Sequence, residues 1–204
     1  MAINLNLADL IYNLGEEKRS RRIARKIKND LQLSFNLLEK NREKAKNLSG
    51  ILRLATEQIR NCNQCRNLTE QSICNICSDE KRDQNMLCIV ENPSDVLAIE
   101  NSGTFKGKYF VLMGRLSPID GVSPEDLGIP DLLRHIKGAK IEEVILATSS
   151  TVEGDATASF INDHLDNVKV SRISYGIPIG GELEYVDGTT IARAIEGRVE
   201  INVD

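Results

Sequence analysis

At 204 residues, 41% of them hydrophobic, the chain is long enough to bury one good core or two modest ones, and its net charge of -4 argues against a uniformly basic nucleic-acid binder. No apolar stretch approaches the ~20 residues that a membrane-spanning helix needs, so the composition reads as that of a soluble, cytoplasmic protein. The charge is polarised: residues 1–61 hold 13 Lys+Arg against 7 Asp+Glu, while residues 62–204 hold 13 against 23. A basic amino-terminal module beside an acidic body points to a polyanion at one end and a protein partner at the other.

Leu7, Leu10, Ile11 and Leu14 recur at helical spacing, and Gly15 is a suitable stop, so a first short helix is predicted there. A strongly basic helix follows over 16–31, with Ile23, Ile27 and Leu31 four residues apart and Lys18, Arg19, Arg21, Arg22, Arg25 and Lys28 crowded around them. Only Tyr12 brings an aromatic ring near this cluster, so any polyanion it holds is held by charge and not by base stacking. Its bland alternative is a solvated helix face. Leu48, Ile51, Leu52, Ala55 and Ile59 then predict the buried stripe of a further helix that runs straight into Cys62.

Cys62, Cys65, Cys74 and Cys77 form two C-x-x-C hooks separated by eight residues. Four soft thiolates with no place left for water suit one structural metal ion in a tetrahedral site, and zinc, one per chain, is the expected ion. Iron in a rubredoxin-like knuckle is an alternative, although the prolines and glycines expected around it are missing. Two disulfides of a secreted protein are another, opposed by the lack of a signal peptide before the knot and by the α/β pattern after it. Cys88, in the apolar run 86–90, reads as a buried core thiol.

Beyond Cys77, short apolar runs at 86–90, 109–113, 144–147 and 168–174 alternate with helical patterns at 93–101, 130–137 and 155–165. This predicts an α/β domain over about 80–175 with a largely parallel sheet covered on both faces. A long loop with Pro118, Gly121, Pro124 and Gly128 interrupts it. The tail, with Gly176, Pro178, Gly180, Gly181 and Gly188, reads as turn-rich and unsuited to another helix-sheet repeat.

Glu91 follows the first of these strands, and Glu153 and Asp155 follow the third, so all three sit where strands of a parallel sheet deliver ligand-binding groups. One Glu plus an acidic-x-acidic pair is what a Mg²⁺-dependent phosphoryl-transfer site requires. Ordinary helix-amino-terminal carboxylates fit Glu153 and Asp155 equally well. His135 and His164 lie apart in helical stretches without companion ligands and read as surface histidines.

From about residue 33 onward the chain resembles the RecR family of bacterial recombination mediators. The residues that carry the likeness are the four-cysteine motif, Ile89-Val90-Glu91-Asn92-Pro93-Ser94-Asp95-Val96, Gly107-Lys108-Tyr109-Phe110-Val111-Leu112, Leu116-Ser117-Pro118-Ile119-Asp120-Gly121, and the stretches 147–157 and 176–190. The resemblance implies an α+β multi-module chain. Its parts would be an amino-terminal helical domain over 1–61, a zinc knot over 62–78, an α/β Toprim domain over 79–175, and a Walker-B-like, glycine-rich tail over 176–204 that makes subunit contacts. It further implies a non-enzymatic DNA-repair scaffold that binds DNA without sequence preference and assembles as a dimer or tetrameric ring. RecO- and RecF-type proteins would be its partners, and Glu91, Glu153 and Asp155 would occupy the Toprim acidic positions and face a basic partner. A Mg²⁺-dependent Toprim enzyme using the same three carboxylates is the alternative.

The amino terminus departs from the family. Its helix-hairpin-helix turn, of the form L-P-G-[IV]-G-P-K-S-A, is replaced by Leu14-Gly15-Glu16-Glu17-Lys18-Arg19-Ser20-Arg21-Arg22. Residues 7–28 resemble instead a segment of the bacterial rRNA cytosine-N4 methyltransferase family, without a methyl-donor site, which implies a chimera, a graft or a divergent member. In each case the glycine turn that would bring backbone amides to phosphate is absent; DNA contact would then fall to Lys18, Arg19, Arg21, Arg22, Arg25 and Lys28, the alternative being a chimera with impaired DNA binding.

Overall fold

A computed structural model of the chain describes Gln32, residues 35–174 and residues 176–199. The helices predicted over 7–14 and 16–31, and with them all six basic residues of the cluster, lie outside the described residues. The chain divides into two units, Met1–Gln58 and Ile59–Asp204.

In the first unit a π-helical turn, Asn36–Lys40, precedes the helix α1, Arg42–Gln58. The helix forms where the apolar spacing predicts it, but its stripe is not buried: Leu48, Ile51 and Leu52 are exposed, as are Phe35 and Leu38. Apolar periodicity specifies a face of a helix and says nothing of what covers it.

The second unit begins with β1, Arg60–Asn61, paired antiparallel to β2, Leu68–Thr69, and a single helical turn, α2, Asn75–Ser78. A four-stranded sheet follows: β3, Met86–Val90; β4, Lys108–Val111; β5, Glu143–Ala147; β6, Lys169–Arg172. The order is β4-β3-β5-β6 and every pair is parallel, with Cys88 between Tyr109 and Ile145. Helices α3, Pro93–Ser102, α4, Ile129–Gly138, and α5, Val152–Asp163, make the crossovers.

Alternation along the strands sorts the core into two layers. Leu87, Ile89, Phe110, Leu112, Val144 and Leu146 face α4 and α5, whose Leu132, Ile136, Ala158 and Ile161 complete one cluster. Cys88, Val90, Tyr109, Val111 and Ala147 face the other way, against Val96 and Ile99 of α3 and Ile76 of α2. Each fully buried Leu, Ile or Val contributes about 1.5–3 kcal/mol relative to exposure. With both faces covered, β3 reads as an unbroken apolar run, and β4 does so after its first residue, Lys108.

Local signals set the helix ends. Pro93 opens α3, Asn92 N–H donates to Asp95 Oδ2 at 2.8 Å, and Gly103 closes the helix at φ +69°. Thr151 caps α5 by accepting from Gly154 N–H at 3.1 Å. The tail adds no strand to the sheet among the described residues, but it does hold a helix that the sequence reading did not include. After a 3-10 turn, Leu183–Tyr185, it forms the helix α6, Gly188–Glu196. Asp187 caps α6 by accepting from the amides of Thr189 and Thr190, and of the glycines named in the tail only Gly188 enters the helix, at its first position.

Candidate metal centre and acidic crevice

Cys62 and Cys65 come from the β1–β2 knuckle, whose turn is closed by Arg66 N–H on Cys62 O at 2.9 Å with Arg66 at φ +63°. Cys74 is the residue before α2, and Cys77 follows one turn later on the same side. The four sulfurs all lie within 4.8 Å of one another, and Cys62, Cys65 and Cys74 are buried. All five cysteines are free thiols, and Cys65 Sγ and Cys74 Sγ stand 3.5 Å apart, too far for the disulfide alternative.

Thiols packed this closely cannot all ionise unaided. Hydrogen bonding to Cys77, the largest influence, pulls Cys65 down to about 6. Burial pushes Cys74 up to about 11, and the bond to Cys65 drives Cys77 upward as well. A divalent cation supplies the positive charge that four thiolates need. A closed, tetrathiolate, water-excluding donor set of this kind fits zinc, which the protein uses structurally.

The knot is built onto the sheet at its β4 edge. Val111 N–H donates to Cys65 O at 2.9 Å, continuing the strand's hydrogen bonding outward. Lys108 Nζ donates to the carbonyls of Ile76, Cys77 and Asp79 at 2.9, 3.0 and 2.8 Å. Arg66 reaches the carbonyl of Leu127 and lies over the Phe110 ring, 5.7 Å from its centroid. Neither Lys108 nor Arg66 was singled out from the sequence, although a lysine opening the apolar run K-Y-F-V-L is a signal that its ammonium must find acceptors when buried. Cys88 lies in the core as expected, its thiol pushed up to about 12 by burial.

The carboxyl ends of the strands hold the acidic residues, but not as one ligand set. Glu91 is buried, and its Oε1 accepts from both the amide and the hydroxyl of Ser149 at 2.7 Å, with Arg115 3.7 Å from Oε2. Asp155 receives Arg172 on Oδ1 at 2.6 Å and Arg193 on Oδ2 at 2.8 Å. Glu153 is half-buried, and its carboxylate has no hydrogen bond or ion pair among the described residues. Gly154 separates the last two because α5 starts against the β5 loop: a Cβ there would overlap the Ser149 carbonyl and lie 3.0 Å from Glu91 Oε1. Among the described residues, the cysteine quartet is the one group of three or more potential ligands that converges.

Arg172 and Arg193 were not anticipated from the sequence. Arg172 ends β6 and so falls under the same strand-end rule that picked out Glu91. Beside them opens a cavity of about 460 Å³ lined by Ser149, Ser150, Ser174, Asp187, Thr189 and Arg193, among others. A second, of about 340 Å³, lies between the knot and the opposite end of the sheet, at Gln64, Cys77, Lys108 and Lys140. His135 also borders it and is exposed, as is His164, which lies against Phe160. Among the described residues, no helix is long and apolar enough to cross a membrane.

Three family models match consecutive stretches of the chain: the four-cysteine zinc finger domain of RecR over residues 59–79, a Toprim domain over 85–174 and the RecR C-terminal region over 176–199. The recombination protein RecR of Saccharophagus degradans is 55% identical over 172 residues, which is 83% of this chain and 87% of that protein. The RecR proteins of Acinetobacter baylyi and Shewanella denitrificans are each 50% identical over 173 residues, with the same coverage. These matches name RecR or Toprim alone, and the likeness of residues 7–28 to a methyltransferase finds no support in them.

Proposed function

This chain belongs to the RecR family of recombination proteins, and from that premise we propose that it is a mediator of DNA recombination and repair that works by binding and assembly, without catalysis. The observation that carries the reading is the succession of zinc-finger, Toprim and C-terminal segments in a chain 55% identical to a named RecR. The modules are assigned as a helical domain over 1–61, a zinc knot over 62–78 with Cys62, Cys65, Cys74 and Cys77 as ligands, a Toprim domain over 79–175 and a subunit-contact tail over 176–204. Within this scheme the protein acts in the cytoplasm, on the nucleoid, as a dimer or ring.

DNA is held without sequence preference through Lys18, Arg19, Arg21, Arg22, Arg25 and Lys28, in place of the family's glycine hairpin. Glu153, whose carboxylate is unengaged among the described residues, is the acidic group best placed to meet the positive face of a RecO- or RecF-type partner. Glu91 and Asp155, tied to their neighbours, shape that surface from within.

The test is DNA binding across a salt series together with a Mg²⁺ cleavage assay. Each phosphate neutralised on duplex DNA lowers affinity by about 0.9 log units per log unit of salt. The affinity is expected to fall steeply and to collapse when Arg21, Arg22 and Arg25 become alanine together. Salt-independent binding would overturn the electrostatic reading of DNA contact, and DNA turnover that Glu91→Gln abolishes would return the Toprim-enzyme alternative.

A further inference from the structure

The carboxylate of Asp155 stands between two arginines that arrive from later in the chain. Arg172, at the end of β6, meets one oxygen and also donates to Ser149 O at 3.1 Å; Arg193, in α6, meets the other. Both pairs are partly withdrawn from solvent, with the three side chains between 26% and 34% exposed. The first turn of α6 meanwhile walls the 460 Å³ cavity at Asp187, Thr189 and Thr190.

We propose that Arg172 and Arg193 are the resident counter-ions of this acidic crevice, standing where a metal-dependent site of the same layout would hold a divalent cation, and that Arg193 thereby latches α6 across the crevice. The inference rests on the non-enzymatic reading above and deepens it. Mg²⁺ demands near-octahedral oxygen donors at about 2.0–2.1 Å. Here both oxygens of Asp155 are engaged by guanidinium groups, and Glu91 Oε1 is engaged by Ser149. Guanidinium is planar, permanently charged and weakly hydrated, so it serves as a built-in cation at a half-buried carboxylate. A metal ion entering the crevice has to displace two such charges, and doing so frees α6. The Toprim acidic-x-acidic pair is thereby divided: Asp155 faces inward as a latch, and Glu153 is left for other contacts.

The experiment is a titration of zinc-loaded, full-length protein with Mn²⁺, with free ion followed by electron paramagnetic resonance. Wild type is expected to show no stoichiometric Mn²⁺ site. Arg172→Gln with Arg193→Gln gains one site per chain, about tenfold or more tighter than any wild-type binding, and adding Asp155→Asn removes it. Wild-type binding of one Mn²⁺ per chain, or no gain in a double variant that retains its zinc, overturns the proposal. Should the double variant misfold, amide hydrogen exchange in Asp155→Asn decides. Exchange is expected to accelerate over 188–196 while β3 and β5 stay protected, and unchanged exchange in α6 refutes the latch. A wild-type Mn²⁺ site without DNA cleavage sinks the latch alone, whereas Mg²⁺-dependent cleavage by wild type sinks the scaffold reading.

Discussion

Lys108 donates from its ammonium to the carbonyl of Cys77 at 3.0 Å, so a residue of the sheet's edge strand is fastened to the backbone of a metal-binding cysteine. The same ammonium also holds the carbonyls of Ile76 and Asp79, and the lysine is only 8% exposed. Knot and sheet therefore fold as one body, and three carbonyls depend on a single donor.

Lys108→Met preserves the aliphatic stem and removes that donor. Charged hydrogen bonds of this kind contribute about 1.5–3 kcal/mol each, with partial relaxation expected, so a loss of about 3 kcal/mol in total is predicted. Denaturant unfolding monitored alongside zinc release measures it. A variant with wild-type stability and unchanged zinc retention would show the ammonium to be dispensable.

The knot also closes the β4 edge. All four residues of β4 are buried although the strand is outermost in the sheet, because Cys65 O takes the amide of Val111 and Ile76 packs on the adjacent face. The other edge, β6, is guarded differently, by the charged Lys169 and Arg172. Zinc binding contributes on the order of 10 kcal/mol to isolated finger peptides. Cys74→Ser, or chelation of the wild type, is therefore expected to release the single zinc and expose the apolar β4, with aggregation following. Elemental analysis with light scattering reads both events, and a metal-free protein that stays monodisperse and folded would contradict the assignment.

Much of this architecture is legible in the sequence because its causes are local. The apolar runs at 86–90 and 144–147 become β3 and β5 with shifts of at most one residue, and the cysteine spacing gives the quartet directly. What escapes is set by tertiary partnership. Nothing in E-G-D announces that Asp155 will face Arg172 and Arg193, since those arginines lie 17 and 38 residues away. The exposed stripe of α1 and the helix α6 fail for related reasons: the first has a face that apolar spacing specifies without saying what covers it, and the second is decided by the Asp187 cap, not by average glycine content.

Gly154 is where α5 approaches the β5 loop most closely. An added Cβ overlaps the Ser149 carbonyl and lies 2.6 Å from its hydroxyl, and the backbone has little room to yield because Ser149 is bound to Glu91. Overpacking of this kind costs typically about 1–3 kcal/mol. Gly154→Ala is expected to fall at the upper end and to loosen the crevice, seen as a lower melting temperature. An unchanged melting temperature would mean that the loop moves freely, against the geometry described.

Glu100 links the acid response to the second layer of the core. Burial raises its pKa, but hydrogen bonds from Arg82 and from Tyr109 Oη, the latter at 2.6 Å, outweigh it and leave the carboxyl below its ordinary 4.5. Because the folded-state value is the lower one, the carboxylate's stabilisation is fully present above 4.5 and disappears as pH falls through the depressed value. Glu100→Gln removes the titration while keeping the shape. The stability difference between wild type and this variant should thus be largest at neutral pH and shrink as the solution is acidified below the ordinary carboxylate range. Both proteins carry the same cysteine knot, so acid effects on zinc cancel in that difference. Unfolding free energies measured along the pH series decide the matter: a difference that stays constant throughout would mean that Glu100 acts through packing and not through its charge.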